Sequence, residues 1–163
     1  MASQLSWRSL SDVRVVLSTT FGLGFVRYAP GTVASLLAVL IWWLWLSELR
    51  GFYQSGIIIA ISAIALYCVG FTIRKHGVGD DGAITIDEVL GQWVALIALP
   101  KTWWLVLAAF VGFRVLDILK PDPVGWAESK FDGALGIILD DIVAGALVVA
   151  VLHALIFWFG LGL

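Results

Sequence analysis

The chain has 163 residues, of which 61% are apolar and only 13% are charged, and its formal net charge at pH 7 is −2. A soluble fold of this size cannot bury so large an apolar fraction, and a nearly neutral chain lacks the basic face that nucleic-acid binding requires. We therefore expect an integral membrane protein that contacts membrane lipids and binds no nucleic acid.

Five apolar stretches predict about five transmembrane helices in a single all-α, membrane-embedded domain over residues 1–163. Each approaches the ~20 residues that cross a hydrocarbon core of ~30 Å, provided that the charged residues of the third and fourth are counted. Before them, the weaker segment 12–20 predicts an amphipathic or re-entrant N-terminal helix, and the Gly- and Pro-containing stretch 22–32 that follows predicts a loop entering the first span. The five stretches are residues 32–47, 56–73, 84–100, 102–119 and 135–160.

Basic and aromatic residues predict which end of these helices is cytoplasmic. With a cytoplasmic N-terminus, only Arg50 and Lys101 lie at the opposite end, as the positive-inside rule prefers. Tryptophans of residues 42–45, 103–104 and 158 also fall at that opposite end, where an aromatic belt is expected. The cytoplasmic side then carries Arg8, Arg14, Arg27, Arg74, Lys75, Lys120 and Lys130.

Five carboxylates lie within or beside the predicted spans, all near the cytoplasmic ends. They are Asp87, Glu88, Asp117, Asp140 and Asp141. A carboxylate in the hydrocarbon region costs ~3 kcal/mol or more, so we expect these groups to face the interior of the bundle and to share a partner. Hard oxygen ligands suit Mg²⁺, which commonly bridges protein carboxylates to a substrate phosphate. The pattern therefore predicts a Mg²⁺ site.

The fourth stretch carries cationic and anionic residues at helical spacing. Arg114, Asp117 and Lys120 are each three residues apart, and Pro121 is expected to end the helix. Counted from the turn between the third and fourth stretches, Asp87 and Arg114 lie at similar depth. This stripe suits a phosphate bound beside a metal.

Glycines lie one helical turn from two of the carboxylates. Gly91 follows Asp87 at i+4, and Gly145 follows Asp141 at the same spacing. Small residues permit a close approach of helices. We predict that the helices carrying these residues pack tightly around the site.

The chain has few of the residues and motifs that other classes of hydrolase use for catalysis. His76 is expected in a loop and His153 within the last span, while Cys68 lacks a phosphate-binding loop. No nucleophile-elbow, Walker or zinc-protease motif occurs. The acids of the polar connections are expected to be solvated surface; they are Asp80, Asp81, Asp122 and Glu128.

Four segments in this order resemble the phosphatidylglycerophosphatase A family, and together they extend over nearly the whole chain. The family's members are Mg²⁺-dependent, multi-span enzymes of the bacterial inner membrane that convert phosphatidylglycerophosphate to phosphatidylglycerol. The resemblance thus implies a phosphoric monoester hydrolase with a phospholipid substrate. The segments are APGTVAS (29–35), DEVLGQW (87–93), FRVLDILKP (113–121) and GIILDDIVAG (136–145).

Combined with the resemblance, the residue pattern gives each group of side chains an expected role. The Mg²⁺ ligands, one of them also a general base, are expected to be Asp87, Glu88, Asp117, Asp140 and Asp141. The substrate phosphate is expected to contact Lys120, Arg114, Arg27 and the backbone N–H groups of Gly31 and Thr32. Spacing leaves open whether water or a carboxylate attacks the phosphorus.

One position departs from the family pattern. The family has His-Gly-Gly-x-Gly upstream of the paired aspartates, and this chain has Asp132 in place of the histidine. Asp132 is therefore a further candidate for metal or acid-base work. A small ion-coupled transporter or ion-binding protein is the alternative function, although such proteins usually place their site at the membrane midplane and often contain repeated halves.

Overall fold

The residues described by the computed structural model, 5–79 and 81–160, form seven α-helices joined by turns and short 3-10 segments. The prediction of an all-α protein is therefore confirmed. The helices are α1 (Val13–Ser18), α2 (Pro30–Leu44), α3 (Gly51–His76), α4 (Ile86–Ala95), α5 (Trp103–Leu119), α6 (Val124–Lys130) and α7 (Ala134–Phe159).

The predicted N-terminal helix is present as α1, a six-residue helix that packs against α3. Asp12 begins it by accepting a hydrogen bond from the backbone N–H of Arg14 at 3.0 Å. The same carboxylate binds Lys75 on α3 at 3.0 Å. Hydrogen bonds from Arg14 and Lys75 hold the pKa of Asp12 well below its usual range. Charge pairing therefore fixes α1 to the end of α3.

Two helices, α3 and α7, are long and apolar enough to cross a membrane. Each has 26 residues, and only 33% and 22% of their most apolar segments are buried within the protein. A soluble core helix would bury most of that surface, so these helices present it outward. The helices α2 and α5 are shorter, with 15 and 17 residues. Five complete crossings are therefore not confirmed.

The third apolar stretch differs most from its prediction. Its helix, α4, ends at Ala95 after ten residues, which is about 15 Å of helix. The chain then turns through Ala98, whose φ is 53° and whose backbone N–H donates to the Gln54 side chain at 3.1 Å. Leu96 and Leu99 in this turn are buried. The apolar run continues beyond the helix because a buried turn also requires apolar side chains.

Two glycines bring α4 and α7 into backbone contact, as the sequence predicted. A Cβ atom on Gly145 would overlap the carbonyl oxygen of Gly91, and a Cβ on Gly91 would lie 2.6 Å from the carbonyl oxygen of Asp141. α4 also packs against α2, α3 and α5, so it lies at the centre of the bundle. This contact places the first turn of α4 beside the paired aspartates of α7.

Replacing Gly145 by Ala is expected to lower the free energy of unfolding by about 1 to 3 kcal/mol, because the new methyl group has to separate α4 from α7. Unfolding of the purified protein in detergent measures the effect. Gly56→Ala on α3 is the matched control, since a Cβ there meets nothing within 4 Å. A Gly145→Ala protein as stable as the control would show that the helices are not in contact at this point.

Candidate active site

A cavity of about 270 Å³ lies where the first turns of α4 and α7 meet the last turns of α5. All five carboxylates predicted from the spans line it, together with Arg114 and Lys120. The structure thus brings the predicted charged residues of three helices to one place. The complete lining is Gly82, Ile84, Asp87, Glu88, Arg114, Asp117, Ile118, Lys120, Ile137, Asp140 and Asp141.

Three of the carboxylates form a cluster that fits a cation. Oxygens of Asp87, Glu88 and Asp141 all lie within 4.8 Å of one another. Asp87 and Asp141 are only 7% and 3% exposed. Glu88 Oε2 is buried without a hydrogen-bond partner among the described residues. Clustered carboxylates of low exposure repel one another, and a hard divalent cation bound among them would offset that repulsion.

Arg114 joins three helices at the edge of this cluster. Its Nη1 lies 2.6 Å from Asp117 Oδ2, one turn along α5, and 4.0 Å from Glu88 Oε1 on α4. It also lies 3.4 Å from Ser35 Oγ on α2. The prediction that Arg114 and Asp117 share a stripe is confirmed. Sequence reasoning gave Ser35 no role, although this serine ends the segment 29–35 that carries the family resemblance.

The N-terminus of α2 lies against the same group. A Cβ on Gly31 would overlap Glu88 Oε1 and would lie 3.2 Å from Arg114 Nη1. A larger residue here would therefore displace the carboxylate of Glu88 from its observed position. The carboxylate of Glu88 gains from the partial positive charge at this helix end. Neither Gly31 nor the half-buried Thr32 lines the cavity.

The neighbouring aspartates of α7 have different surroundings. Asp141 belongs to the three-carboxylate cluster, whereas Asp140 Oδ2 accepts a hydrogen bond from Lys120 Nζ at 2.8 Å. Lys120 directly follows the last residue of α5, with φ 45°, and also donates to Glu128 Oε1 at 2.6 Å. Asp117 and Asp140 are thus each paired with a basic side chain at the rim of the cluster.

The prediction that the acidic residues of the loops are exposed to solvent is correct for only some of them. Asp122 is exposed, as predicted. The prediction is wrong for Asp81, which is 7% exposed and accepts hydrogen bonds from the backbone N–H groups of Leu5 and Ala83. Glu128 is only partly exposed because it pairs with Lys120. Asp80 lies outside the described residues.

Two charged predicted site residues do not line the cavity that contains the five carboxylates. Arg27 is exposed and has its guanidinium carbon 5.4 Å from the centre of the Tyr28 ring. Asp132 is also exposed and lines a separate cavity of about 250 Å³ beside Glu128 and Gly136. The other charged candidates all line the cavity between α4, α5 and α7.

Comparison with known proteins agrees with the resemblance seen in the four segments. The family model described as Phosphatidylglycerophosphatase A matches residues 16–156. Phosphatidylglycerophosphatase A of Escherichia coli strain K12 is 38% identical over 139 residues, which are 85% of this chain and 80% of that protein. The Haemophilus influenzae protein of the same name is 35% identical over 150 residues, 88% of each chain.

A more distant relative carries a different name. A Bacteroides thetaiotaomicron protein provisionally named phosphatidylinositol-3-phosphatase is 33% identical over 141 residues, 83% of this chain and 88% of that protein. No solved structure gives a significant match. The family model covers well over half of the chain, and the relatives align over most of their own length. The chain therefore belongs to the phosphatidylglycerophosphatase A family, whose members are phosphoric monoester hydrolases.

Proposed function

We propose that this chain is a Mg²⁺-dependent phosphatase that hydrolyses the terminal phosphate of phosphatidylglycerophosphate, giving phosphatidylglycerol. The names of the Escherichia coli and Haemophilus influenzae relatives support this substrate. The observation that carries the proposal is the clustering of Asp87, Glu88 and Asp141 beside two basic side chains. An ion-coupled transporter is disfavoured, because the relatives are phosphatases and the cluster lies at the helix ends.

The residues that would hold the cation are Asp87, Glu88 and Asp141. One oxygen of each carboxylate lies within 4.8 Å of the others, and carboxylate oxygens are the hard ligands that Mg²⁺ prefers. Bound there, Mg²⁺ would neutralise charge on the phosphoryl oxygens and lower the pKa of an attacking water. Asp117 and Asp140, which pair with basic residues, hold the phosphate-binding side chains in place.

Arg114 and Lys120 bind the substrate phosphate in this proposal. Lys120 has three N–H donors, and its hydrogen bonds to Asp140 and Glu128 use two of them. Arg114 lines the cavity, and its contacts with Asp117 and Ser35 involve Nη1, one of the three guanidinium nitrogens. Both side chains thus keep donors for phosphate oxygens, and such charge-assisted bonds are stronger than neutral ones.

The reaction is a hydrolysis at phosphorus. The oxygen of water bonds to phosphorus, the bond from phosphorus to the glycerol oxygen breaks, and inorganic phosphate leaves. The proton that water loses passes to a carboxylate at the site, and the glycerol oxygen takes a proton as it departs. Arg114 and Lys120 stabilise the charge on the phosphoryl oxygens throughout.

We place the site at the cytoplasmic face of the bacterial inner membrane, with the chain crossing several times. The cavity shares one end of the bundle with Lys75 and Lys120, whereas the exposed Trp45, Trp103 and Trp158 lie at the other end. The short helix α4 is enclosed by α2, α3, α5 and α7. Because protein surrounds α4, this helix does not need the full length that a lipid-facing helix requires to cross the membrane.

Phosphate release from defined lipids tests the proposal. The purified protein in mixed micelles with Mg²⁺ is expected to release phosphate from phosphatidylglycerophosphate faster than from phosphatidylinositol 3-phosphate or phosphatidic acid. Excess EDTA is expected to stop the release, and added Mg²⁺ to restore it. Absence of release from phosphatidylglycerophosphate would refute the proposed substrate, and release unaffected by EDTA would refute the metal.

A further inference from the structure

A second cavity, of about 270 Å³, lies between α5 and α7 and has an entirely apolar lining. Its walls include Ala108, Gly112 and Leu116 on α5, with Leu147 and Val151 on α7. Val151 is 57% exposed, so the cavity is a groove that opens to the outside of the bundle. We call it the α5–α7 groove.

One end of the groove lies within one helical turn of the candidate active site along α5. Leu116, at one end, directly precedes Asp117, which lines the carboxylate cavity. From Leu116 to Ala108 the groove follows α5 for about 12 Å, away from the charged residues. Gly112 lies midway, where a Cβ atom would be 3.4 Å from Val148 on α7. A larger side chain at position 112 therefore has to occupy the groove.

We propose that the α5–α7 groove holds one acyl chain of the lipid substrate. The proposal rests on the function proposed above and adds a subsite to it. A lipid whose phosphate contacts Arg114 directs its acyl chains toward the hydrocarbon region, and the groove extends along α5 in that direction. Its apolar walls match an acyl chain and offer no hydrogen bond to a headgroup or to water.

This subsite is expected to pack against the acyl chain and so to orient the lipid substrate. Lipid tails are as apolar as the groove, so leaving the bilayer for the groove gives little hydrophobic gain. A chain held along α5 instead fixes the glycerol backbone relative to Arg114 and the carboxylates, which favours a reactive placement of the phosphate. The proposal therefore predicts an effect that depends on chain length.

Kinetics with long and short acyl chains test this subsite. Gly112→Leu fills the groove, and the matched control Gly56→Leu adds the same side chain to α3, where nothing lies within 4 Å of a Cβ. With dioleoyl phosphatidylglycerophosphate in mixed micelles, Gly112→Leu is expected to lower kcat/KM about tenfold. With the dihexanoyl lipid, kcat/KM is expected to stay near that of the wild type, and Gly56→Leu to leave both values unchanged.

A second variant distinguishes filling of the groove from misfolding of the Gly112→Leu protein. Val151→Phe narrows the groove from α7 and is expected to produce the same selective loss as Gly112→Leu. If both variants lower the two kcat/KM values equally, or lower neither, the groove does not hold an acyl chain. A wild-type protein that hydrolyses neither lipid would instead refute the proposed function itself, so the two failures are distinguishable.

Discussion

Replacing Asp141 by Asn is expected to lower the rate of phosphate release by about 10³-fold, because a bound cation provides several kcal/mol of transition-state stabilisation and ~1.4 kcal/mol corresponds to tenfold. The same change is expected to stabilise the metal-free protein. Asn keeps the volume of the side chain but removes one of three carboxylates that lie within 4.8 Å of one another, two of which are buried. Their repulsion and desolvation oppose folding, so the site trades stability for activity.

Phosphate release in Mg²⁺ and thermal unfolding in EDTA measure the two effects of Asp141→Asn. Asp122→Asn is the matched control, because Asp122 is an exposed loop residue, and we expect it to change neither quantity. Wild-type activity in the Asp141→Asn protein would remove this carboxylate from the site. Lower stability of the variant in EDTA would show that Asp141 serves mainly to hold the fold together.

Replacing Arg114 by Met is expected to damage both stability and activity. The guanidinium lies 2.6 Å from Asp117 and 4.0 Å from Glu88, and the side chains of all three residues are less than one-fifth exposed. Breaking a buried ion pair by removing one partner costs about 3 kcal/mol, because the remaining charge is uncompensated. Loss of a phosphate-binding cation is expected to lower kcat/KM by about 10²-fold or more.

A double mutant separates the two roles of Arg114. Adding Asp117→Asn to Arg114→Met removes the uncompensated carboxylate and is expected to restore part of the stability without restoring activity. Arg114→Lys is expected to keep more stability than Arg114→Met but to remain impaired in catalysis, since lysine lacks the planar fork. Recovery of activity in the double mutant would show that Arg114 only neutralises Asp117.

Local signals in the sequence predicted much of the fold around the site. Pro30 begins α2, and α5 ends at Leu119, two residues before Pro121. Both outcomes follow from the fixed φ of proline and its missing N–H. The i+4 spacing of the glycines likewise predicted the contact between α4 and α7. These features depend on a few neighbouring residues, which is why sequence alone reveals them.

Hydropathy did not predict where α4 ends. Leu96 and Leu99 continue its apolar run, but they are buried in a turn that a hydrogen bond from Ala98 to Gln54 on α3 stabilises. A buried turn and a buried helix need the same apolar composition. Only the packing of α3 against α4 distinguishes them.

The partners of adjacent carboxylates were also beyond sequence reasoning. Asp140 and Asp141 are neighbours, yet one pairs with Lys120 and the other joins Asp87 and Glu88. Adjacent helical residues point about 100° apart, so their surroundings depend on how the helices are rotated within the bundle. The pairing of Glu128 with Lys120 could not be predicted from the sequence for the same reason.

Cation binding by the purified protein tests the central claim most directly. Mn²⁺, a substitute for Mg²⁺ that electron paramagnetic resonance detects, is titrated into the protein in detergent without substrate. We expect saturable binding that excess Mg²⁺ reverses, that Asp141→Asn abolishes and that Asp122→Asn leaves intact. Absence of saturable binding to the wild type, or undiminished binding to Asp141→Asn, would contradict a cation site formed by Asp87, Glu88 and Asp141.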